Sequence, residues 1–318
     1  IDYPDITTTE VKIMNYRPEG CLYKTPVNQR LISSAEGLTE AMNCGTIIEA
    51  RVSVCTSSHD LIIDLPCAKG VISREDGALG IPEGKTRDIA LISRVNKIVC
   101  FKVRELNYGS DGSLTVKLSR REAQEECQRN YIEKLRAGDI IEAKVTHLEQ
   151  FGSFVDIGCG IPSLIPIDTI SVSRISHPSD RMRVGQMIYA AVKSNESARI
   201  CLTHKELLGT WEENAADYEV GETVSGIVRS VESYGIFVEL TPNLAGLAEA
   251  RDGITAGMHV SVYIKAIIPE KMKVKLVIVD SCDSHDEVLD FKYRFRESHI
   301  NKWRYSPERS DKVIESIF

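Results

Sequence analysis

Short apolar segments that alternate with polar residues run along most of this chain, and glycines separate them. Clear examples lie at residues 140–145, 154–157, 187–193 and 199–203. Four or five such segments, bounded by turn residues, predict short β-strands that close into a small barrel. No apolar run approaches the roughly 20 residues needed to span a bilayer, so we expect no membrane partner.

The pattern is repeated along the chain, and the repeats predict the architecture. The segment Gly138–Val145 recurs as Gly221–Val228, and an earlier copy lies at Gly45–Val52. An aromatic element keeps the same offset between the later two copies: it is Phe151-Gly152-Ser153-Phe154 in one and Tyr234-Gly235-Ile236-Phe237 in the other. Three similar units in tandem indicate three domains of one fold.

Helical connectors are expected where the first two repeats end. Ser119 is followed three residues later by Glu122, and Thr203 by Glu206, which is the pattern of a helix N-terminal capping box. The first connector, residues 120–135, is charged and amphipathic, and the second, from residue 207, carries leucines and Trp211.

Composition narrows the class of protein. The chain has 318 residues, of which 42% are hydrophobic and 27% charged, as in globular multidomain proteins. Its nine cysteines form no C-x-x-C pair, so we expect thiols in a reducing cytoplasm and neither metal nor other cofactor. The net charge of −7 argues against indiscriminate polyanion binding but permits local basic surfaces.

A family resemblance rests on four motifs of the second repeat: Gly138-Asp139, Phe151 to Asp156, the turn Gly158 to Gly160, and Val184-Gly185-Gln186. In this order they resemble the S1 RNA-binding domain family, which occurs in bacterial ribosomal protein S1. The third repeat matches well, and the first matches only in its opening and closing strands. The resemblance covers roughly residues 40 to 281. It implies five-stranded OB barrels that bind single-stranded RNA, usually in translation or RNA turnover.

The chain departs from the family pattern at three places. Family members commonly carry a histidine after the third strand, whereas this chain has Leu164–Asp168 in the second repeat and Leu247–Glu249 in the third. The first repeat has Ser57–Leu61 where the aromatic element is expected. The third repeat is shortened between Leu247 and Gly257.

We therefore predict an all-β chain of tandem five-stranded OB-fold barrels joined by short helical connectors. The expected domains are an N-terminal segment, a degenerate S1-like domain, an S1 domain, a shortened S1 domain and an aromatic and basic tail, at residues 1–39, 40–122, 136–208, 217–281 and 282–318.

The repeated aromatic element is the candidate RNA-binding site, because rings on an open barrel face can stack bases. In a regular strand its two rings would point to opposite faces. Gly152 and Gly235 could permit a bulge that brings both rings to one surface. The alternative is that these are core aromatics. The candidate contacts are Phe151, Phe154, Tyr234, Phe237, Lys193, Arg199, Arg229, Lys265 and His147.

Each candidate cation could instead belong to a solvated strand face, and His147 could be an ordinary hydrogen-bonded surface histidine. The tail poses a similar choice, because residues 291–296 alternate aromatic and basic side chains after the acidic stretch 283–290. We expect a strand there whose rings either cap the third barrel or stack on RNA. Val313, Ile314 and Ile317 suggest a final short helix.

The leading functional hypothesis is a noncatalytic, cytoplasmic protein that binds single-stranded RNA or mRNA in translation. The first repeat would attach it to the small ribosomal subunit or a ribosomal protein. The alternative is a protein-docking adaptor on the ribosome or an RNA-degradation complex. An enzyme is disfavoured, since no catalytic motif stands out and the repeats leave no room for a catalytic domain.

Overall fold

A computed structural model describes residues 16–196, 199–282 and 291–318. It contains three closed five-stranded barrels and one two-stranded sheet. The chain divides into two compact units. One runs to Leu135 and includes Asp156–Pro162, and the other consists of Arg136–Val155 and Ser163–Phe318.

The first barrel follows two short helices, α1 (Pro26–Ile32) and α2 (Ala35–Cys44). Helix α3 (Ile89–Ile92) lies between its third and fourth strands. Residues on alternate strand positions fill the barrel, among them Val52, Ile63 and Phe101, each fully buried. Its strands are β1 (Ile48–Cys55), β2 (Leu61–Leu65), β3 (Ala68–Ile72), β4 (Ile98–Tyr108) and β5 (Leu114–Ser119).

The second and third barrels repeat this arrangement. The strands of the second are β6 (Ile140–Glu149), β7 (Gly152–Asp156), β8 (Pro162–Pro166), β9 (Met187–Glu196) and β10 (Arg199–Thr203). Those of the third are β11 (Thr223–Glu232), β12 (Gly235–Thr241), β13 (Leu244–Ala248), β14 (His259–Ile268) and β15 (Lys273–Cys282).

All three barrels share one strand order. In the first barrel it is β1-β2-β3-β5-β4. The third and fifth strands of each barrel pair in parallel. Antiparallel pairs include β9 with β10 and β11 with β12. A five-stranded barrel of this order is the OB fold. The predicted fold class is therefore confirmed.

Both expected helical connectors are present, but the second begins later than its sequence pattern indicates. Helix α4 (Arg120–Asn130) starts where Ser119 Oγ accepts a hydrogen bond from the Glu122 N–H at 3.1 Å. Helix α5 (Trp211–Ala215) is capped instead by Thr210, in a capping box with Glu213. The Thr203 hydroxyl donates to the Glu206 carboxylate, and only a 3₁₀ turn at Lys205–Leu208 follows it.

The tail differs from two expectations. The predicted final helix is wrong, because residues 315–317 form strand β17 (Glu315–Ile317), which pairs with β16 (Lys302–Arg304). The segment 291–296 is not a strand, and its rings pack on the second barrel rather than the third. The acidic stretch 283–290 lies outside the described residues.

The contacts of the tail explain this difference. Tyr293 and Phe295 each lie edge-on to Tyr189 of β9, and Phe291 lies against His204. The buried His204 ring links Ile170 O, 3.0 Å from Nδ1, to the Tyr293 hydroxyl, 3.2 Å from Nε2. Residues 291–296 thus pack their rings on the second barrel without pairing with a strand. The core of the third barrel is completed by Trp303 and Tyr305.

Candidate nucleic-acid interface

Two pairs of aromatic rings lie at the same place on the second and third barrels. Phe151 and Phe154 have ring centroids 5.9 Å apart and planes at 89°. Tyr234 and Phe237 have centroids 6.2 Å apart and planes at 88°. The leading ring of each pair is well exposed, 56% for Phe151 and 67% for Tyr234, and the second ring is half-buried. Each pair is thus a surface feature and not part of a barrel core. We call these pairs the second-barrel and third-barrel platforms.

The hairpin turn, and not a bulge at glycine, brings the rings together. Phe151 and Tyr234 lie in the turns that precede β7 and β12, so they escape the alternation of a strand. Glycine begins each following strand because a Cβ on Gly152 would lie 2.5 Å from Ile165 O, and one on Gly235 would lie 2.6 Å from Ala248 O. At Gly235 the φ of 149° also favours glycine. The expected glycine bulge is therefore wrong.

His147 extends the second-barrel platform. Its ring stacks against Phe154 with centroids 6.4 Å apart and planes at 29°. Its Nε2 lies 2.6 Å from the Glu149 carboxylate, and both side chains are exposed. Three rings are therefore in sequence on this barrel, and an acidic group stands at one end.

Lys193 and Lys265 occupy equivalent positions in β9 and β14. Each lies at a bulge, where the pairing with the fifth strand shifts by one residue. Lys193 and Arg199 are exposed, and the described residues place no carboxylate within ion-pair distance of either. Lys265 Nζ lies 3.9 Å from a Glu249 oxygen, and both side chains are largely exposed. These three cations are available to solvent.

Arg229 is placed differently from the other candidate cations. Its side chain is only 14% exposed, and its Nε lies 2.8 Å from Glu239 Oε2. The same carboxylate pairs with Arg181, which is also buried. Burial, followed by the like charge of Arg229, lowers the pKa of the Arg181 guanidinium, although Glu239 opposes that shift. Arg229 therefore belongs to an internal ion-pair network that joins Arg181, in the segment between β8 and β9, to Glu239 of β12.

Sequence reasoning missed the leucine beside each platform. Leu247 of β13 pairs with Phe237 of β12 and is 38% exposed. Leu164 stands at the corresponding place in the second repeat, at the same offset as the rings. That offset was a usable signal, because side chains on neighbouring strands at paired positions share one face.

The first barrel has no comparable platform. Val52 pairs with Ile63 as Val228 pairs with Val238, so Ile62 occupies the place of Phe237. The β1–β2 turn carries His59, with a positive φ of 66°, in place of the leading ring.

Residues 16–196, 199–282 and 291–318 contain no group of three or more His, Cys, Asp or Glu side chains arranged to hold a metal ion. Within the same residues, no helix has the length and apolar character required to cross a membrane.

Comparison with known proteins identifies one domain and one group of relatives. Residues 134–205 match the model of the S1 RNA binding domain. The chain is 27% identical to the small ribosomal subunit protein bS1 of Staphylococcus haemolyticus over 80% of this chain and 67% of that protein. It is 31% identical to the bS1 protein of Staphylococcus saprophyticus over 58% of this chain and 47% of that protein.

A solved structure is also similar. It is a multidomain protein with nucleic acid binding domains from Streptococcus pneumoniae, at 12% identity, with 74% of this chain and 73% of that chain covered and a TM-score of 0.24. That score is too low to indicate a shared arrangement.

The chain spans only part of most of these curated relatives, for example 30% of the bS1 protein of Rhizobium meliloti, to which it is 28% identical over 49% of this chain. The matched span 134–205 includes all five strands of the second barrel and its platform. Residues 134–205 therefore match the S1 RNA binding domain, within a chain that is similar to the bS1 protein of Staphylococcus haemolyticus over 80% of this chain.

Proposed function

We propose that this chain binds single-stranded RNA through the second-barrel and third-barrel platforms, without catalysis, in translation. The observation that carries the proposal is that two barrels each have an edge-to-face pair of aromatic rings on the surface, at equivalent positions. Exposed rings on the outer face of an OB barrel are costly to leave in water, whereas stacking on a base covers them.

The chemistry of the platforms suits a single strand with little sequence preference. Every base has a π-face, and one stacking contact is worth about 1–3 kcal/mol. Exposed Lys193, Arg199 and Lys265 supply positive charge for phosphates on an otherwise acidic chain. His147, stacked on Phe154, would provide a further contact. The expected ligand is therefore an unpaired stretch of RNA such as the single-stranded part of an mRNA.

The names of the relatives support a setting for this activity. Those with substantial identity are named as small ribosomal subunit proteins, which supports a role beside that subunit and in the cytoplasm, where translation takes place. The first barrel, which lacks a platform, would serve attachment to the small subunit or to one of its proteins. Its exposed surface is then expected to contact protein rather than RNA.

Fluorescence anisotropy with a labelled single-stranded oligouridylate tests the proposal. The variant Phe151→Ala, Phe154→Ala, Tyr234→Ala, Phe237→Ala should lose at least about 100-fold in affinity, because each lost stacking contact costs about 1–3 kcal/mol. Tyr108→Ala is the matched control, since Tyr108 is an equally exposed ring on the first barrel. It should leave the affinity unchanged.

The fold of the variant can be checked independently. Both tryptophans of the chain, Trp211 and Trp303, belong to the core of the third barrel, so their fluorescence reports its integrity. A folded quadruple variant that binds RNA as tightly as the unaltered protein would refute the proposed function.

A further inference from the structure

The third barrel carries a cation beside its platform that the second barrel lacks. Phe237 pairs with Leu247 of β13, and Leu247 pairs with Lys275 of β15. These three residues therefore lie side by side across three strands, on the outer face of the barrel. Neighbouring strands are about 4.8 Å apart, so the backbones at Phe237 and Lys275 are separated by about 10 Å.

The direction of the Lys275 side chain follows from the burial pattern of β15. Val274, Leu276 and Ile278 point into the barrel and are buried, whereas Lys273 and Lys275 are exposed. Lys273 and Lys275 thus stand on the same outer face as Leu247, two residues apart along the strand.

The charges around Lys275 leave it available. Within the described part of the chain, no carboxylate lies within ion-pair distance of Lys275 or Lys273. The acidic groups nearby along the chain are Glu249, which follows β13 and faces Lys265, and Glu270, which is exposed in the turn before β15. The first half of the fifth strand is therefore locally basic, and exposed Asp280 lies near its end.

The second barrel has no cation at the position that corresponds to Lys275. Its β10 residue paired with Leu164 is Cys201, which is half-buried, so Cys201 corresponds to Lys275. Arg199, two residues earlier, corresponds to Lys273. The second and third barrels thus each have one cation at the start of the fifth strand, but of these two only the third has a second cation next to the leucine and the rings.

We propose that Lys275, together with Lys273, binds successive phosphates of the RNA strand whose bases stack on the third-barrel platform. The inference rests on the proposed function and deepens it. It makes the two platforms unequal: both barrels have exposed cations near their rings, but the third has one more beside its leucine. Lysine suits this role because its ammonium group is a mobile point charge that can follow a flexible strand.

The salt dependence of RNA affinity separates the two kinds of contact. For single strands the slope of log K against log salt concentration changes by about 0.7 for each phosphate contact. Lys275→Ala should therefore reduce the slope by about 0.7, so that raising the salt from about 50 to about 200 mM costs the variant about 2.6-fold less affinity than it costs the unaltered protein. Lys69→Ala, on the exposed face of β3 in the first barrel, removes the same charge and should leave the slope unchanged.

Introducing the missing cation into the second barrel provides the reciprocal test. Cys201→Lys should increase the slope by about 0.7, because it gives the second barrel the missing cation. Binding with a slope identical in Lys275→Ala, Lys69→Ala and the unaltered protein would overturn the inference while the quadruple platform variant still decided the proposed function. Absence of RNA binding by the unaltered protein would overturn both.

Discussion

The second and third barrels share their strand order and their platform, yet each uses the acidic residue beside its platform differently. In the third barrel, Glu239 lies two residues after Phe237 and is buried between Arg181 and Arg229. In the second, Asp156 lies two residues after Phe154 and accepts backbone N–H groups of Glu19, Gly158 and Gly160 at 2.7 to 3.0 Å. One position therefore organises two different sets of partners.

The second and third barrels thus share the positions of their rings but not the partners of the acidic residue beside them. Burial, followed by the charge of Glu19, raises the pKa of Asp156 to about 6. Glu239 instead has two guanidinium partners to compensate its charge. Loss of the carboxylate charge should therefore have unequal consequences in the two barrels.

The largest expected effect is on the third barrel. Glu239→Leu leaves the buried Arg181 guanidinium without its carboxylate and removes the nearer carboxylate partner of Arg229, and breaking a buried ion pair in this way costs about 3–5 kcal/mol. Chemical denaturation followed by tryptophan fluorescence, which reports the third barrel, measures the loss. Glu232→Leu, at an exposed position of β11, is the matched control and should change the free energy of unfolding by less than about 0.5 kcal/mol.

Asp156→Asn tests the corresponding acidic residue of the second barrel. The amide keeps one acceptor oxygen, and no cation of the described residues has Asp156 as its only carboxylate partner. The free energy of unfolding should therefore fall by about 1–3 kcal/mol. Equal losses in Glu239→Leu and Asp156→Asn would contradict the view that the two positions differ in kind.

A smaller effect is expected from pH, and it should be confined to the second barrel. Burial lowers the pKa of His204 to about 4, from 6.5 in the unfolded chain. The stability that His204 contributes as a neutral ring is therefore fully present above about pH 6.5 and is lost as the pH falls through about 4. The full loss is about 3 kcal/mol. Ile278 occupies the corresponding place in the third barrel and does not titrate.

Hydrogen exchange of residues 291–296 measures this effect, because Tyr293 bonds to His204 and the Arg294 N–H donates to Leu207 O. After correction for intrinsic exchange rates, protection should fall between pH 6.5 and 4 in the unaltered protein. It should fall less in His204→Gln. An equal fall in both proteins would show that another group controls the docking of the tail.

Much of the fold could be predicted from the sequence because the repeats keep their offset. The constant offset between the second and third repeats predicted two barrels of one fold with four aromatic residues at equivalent positions. The place of Phe151 in a turn was missed, since strand alternation was assumed to extend through Gly152. The role of Arg229 was beyond sequence reasoning, because its partner Glu239 is shared with Arg181 from a different repeat.

The tail shows the same limit. Alternation at residues 291–296 predicted an apolar face correctly but could not say which barrel receives it. That choice depends on Tyr189 and His204, which both contact Tyr293 once β9 and the segment after β10 are folded. Local pattern determines the amphipathic segment, and tertiary shape determines its partner.

Ultraviolet cross-linking of the unaltered protein to a single-stranded oligouridylate, with adducts located by mass spectrometry, tests the central claim most directly. We predict adducts on the peptides that contain Phe151 and Phe154 and on those that contain Tyr234 and Phe237, because cross-links form where bases lie against rings. Adducts confined to the first barrel or to the rings of the tail, with both platforms unmodified, would contradict the account.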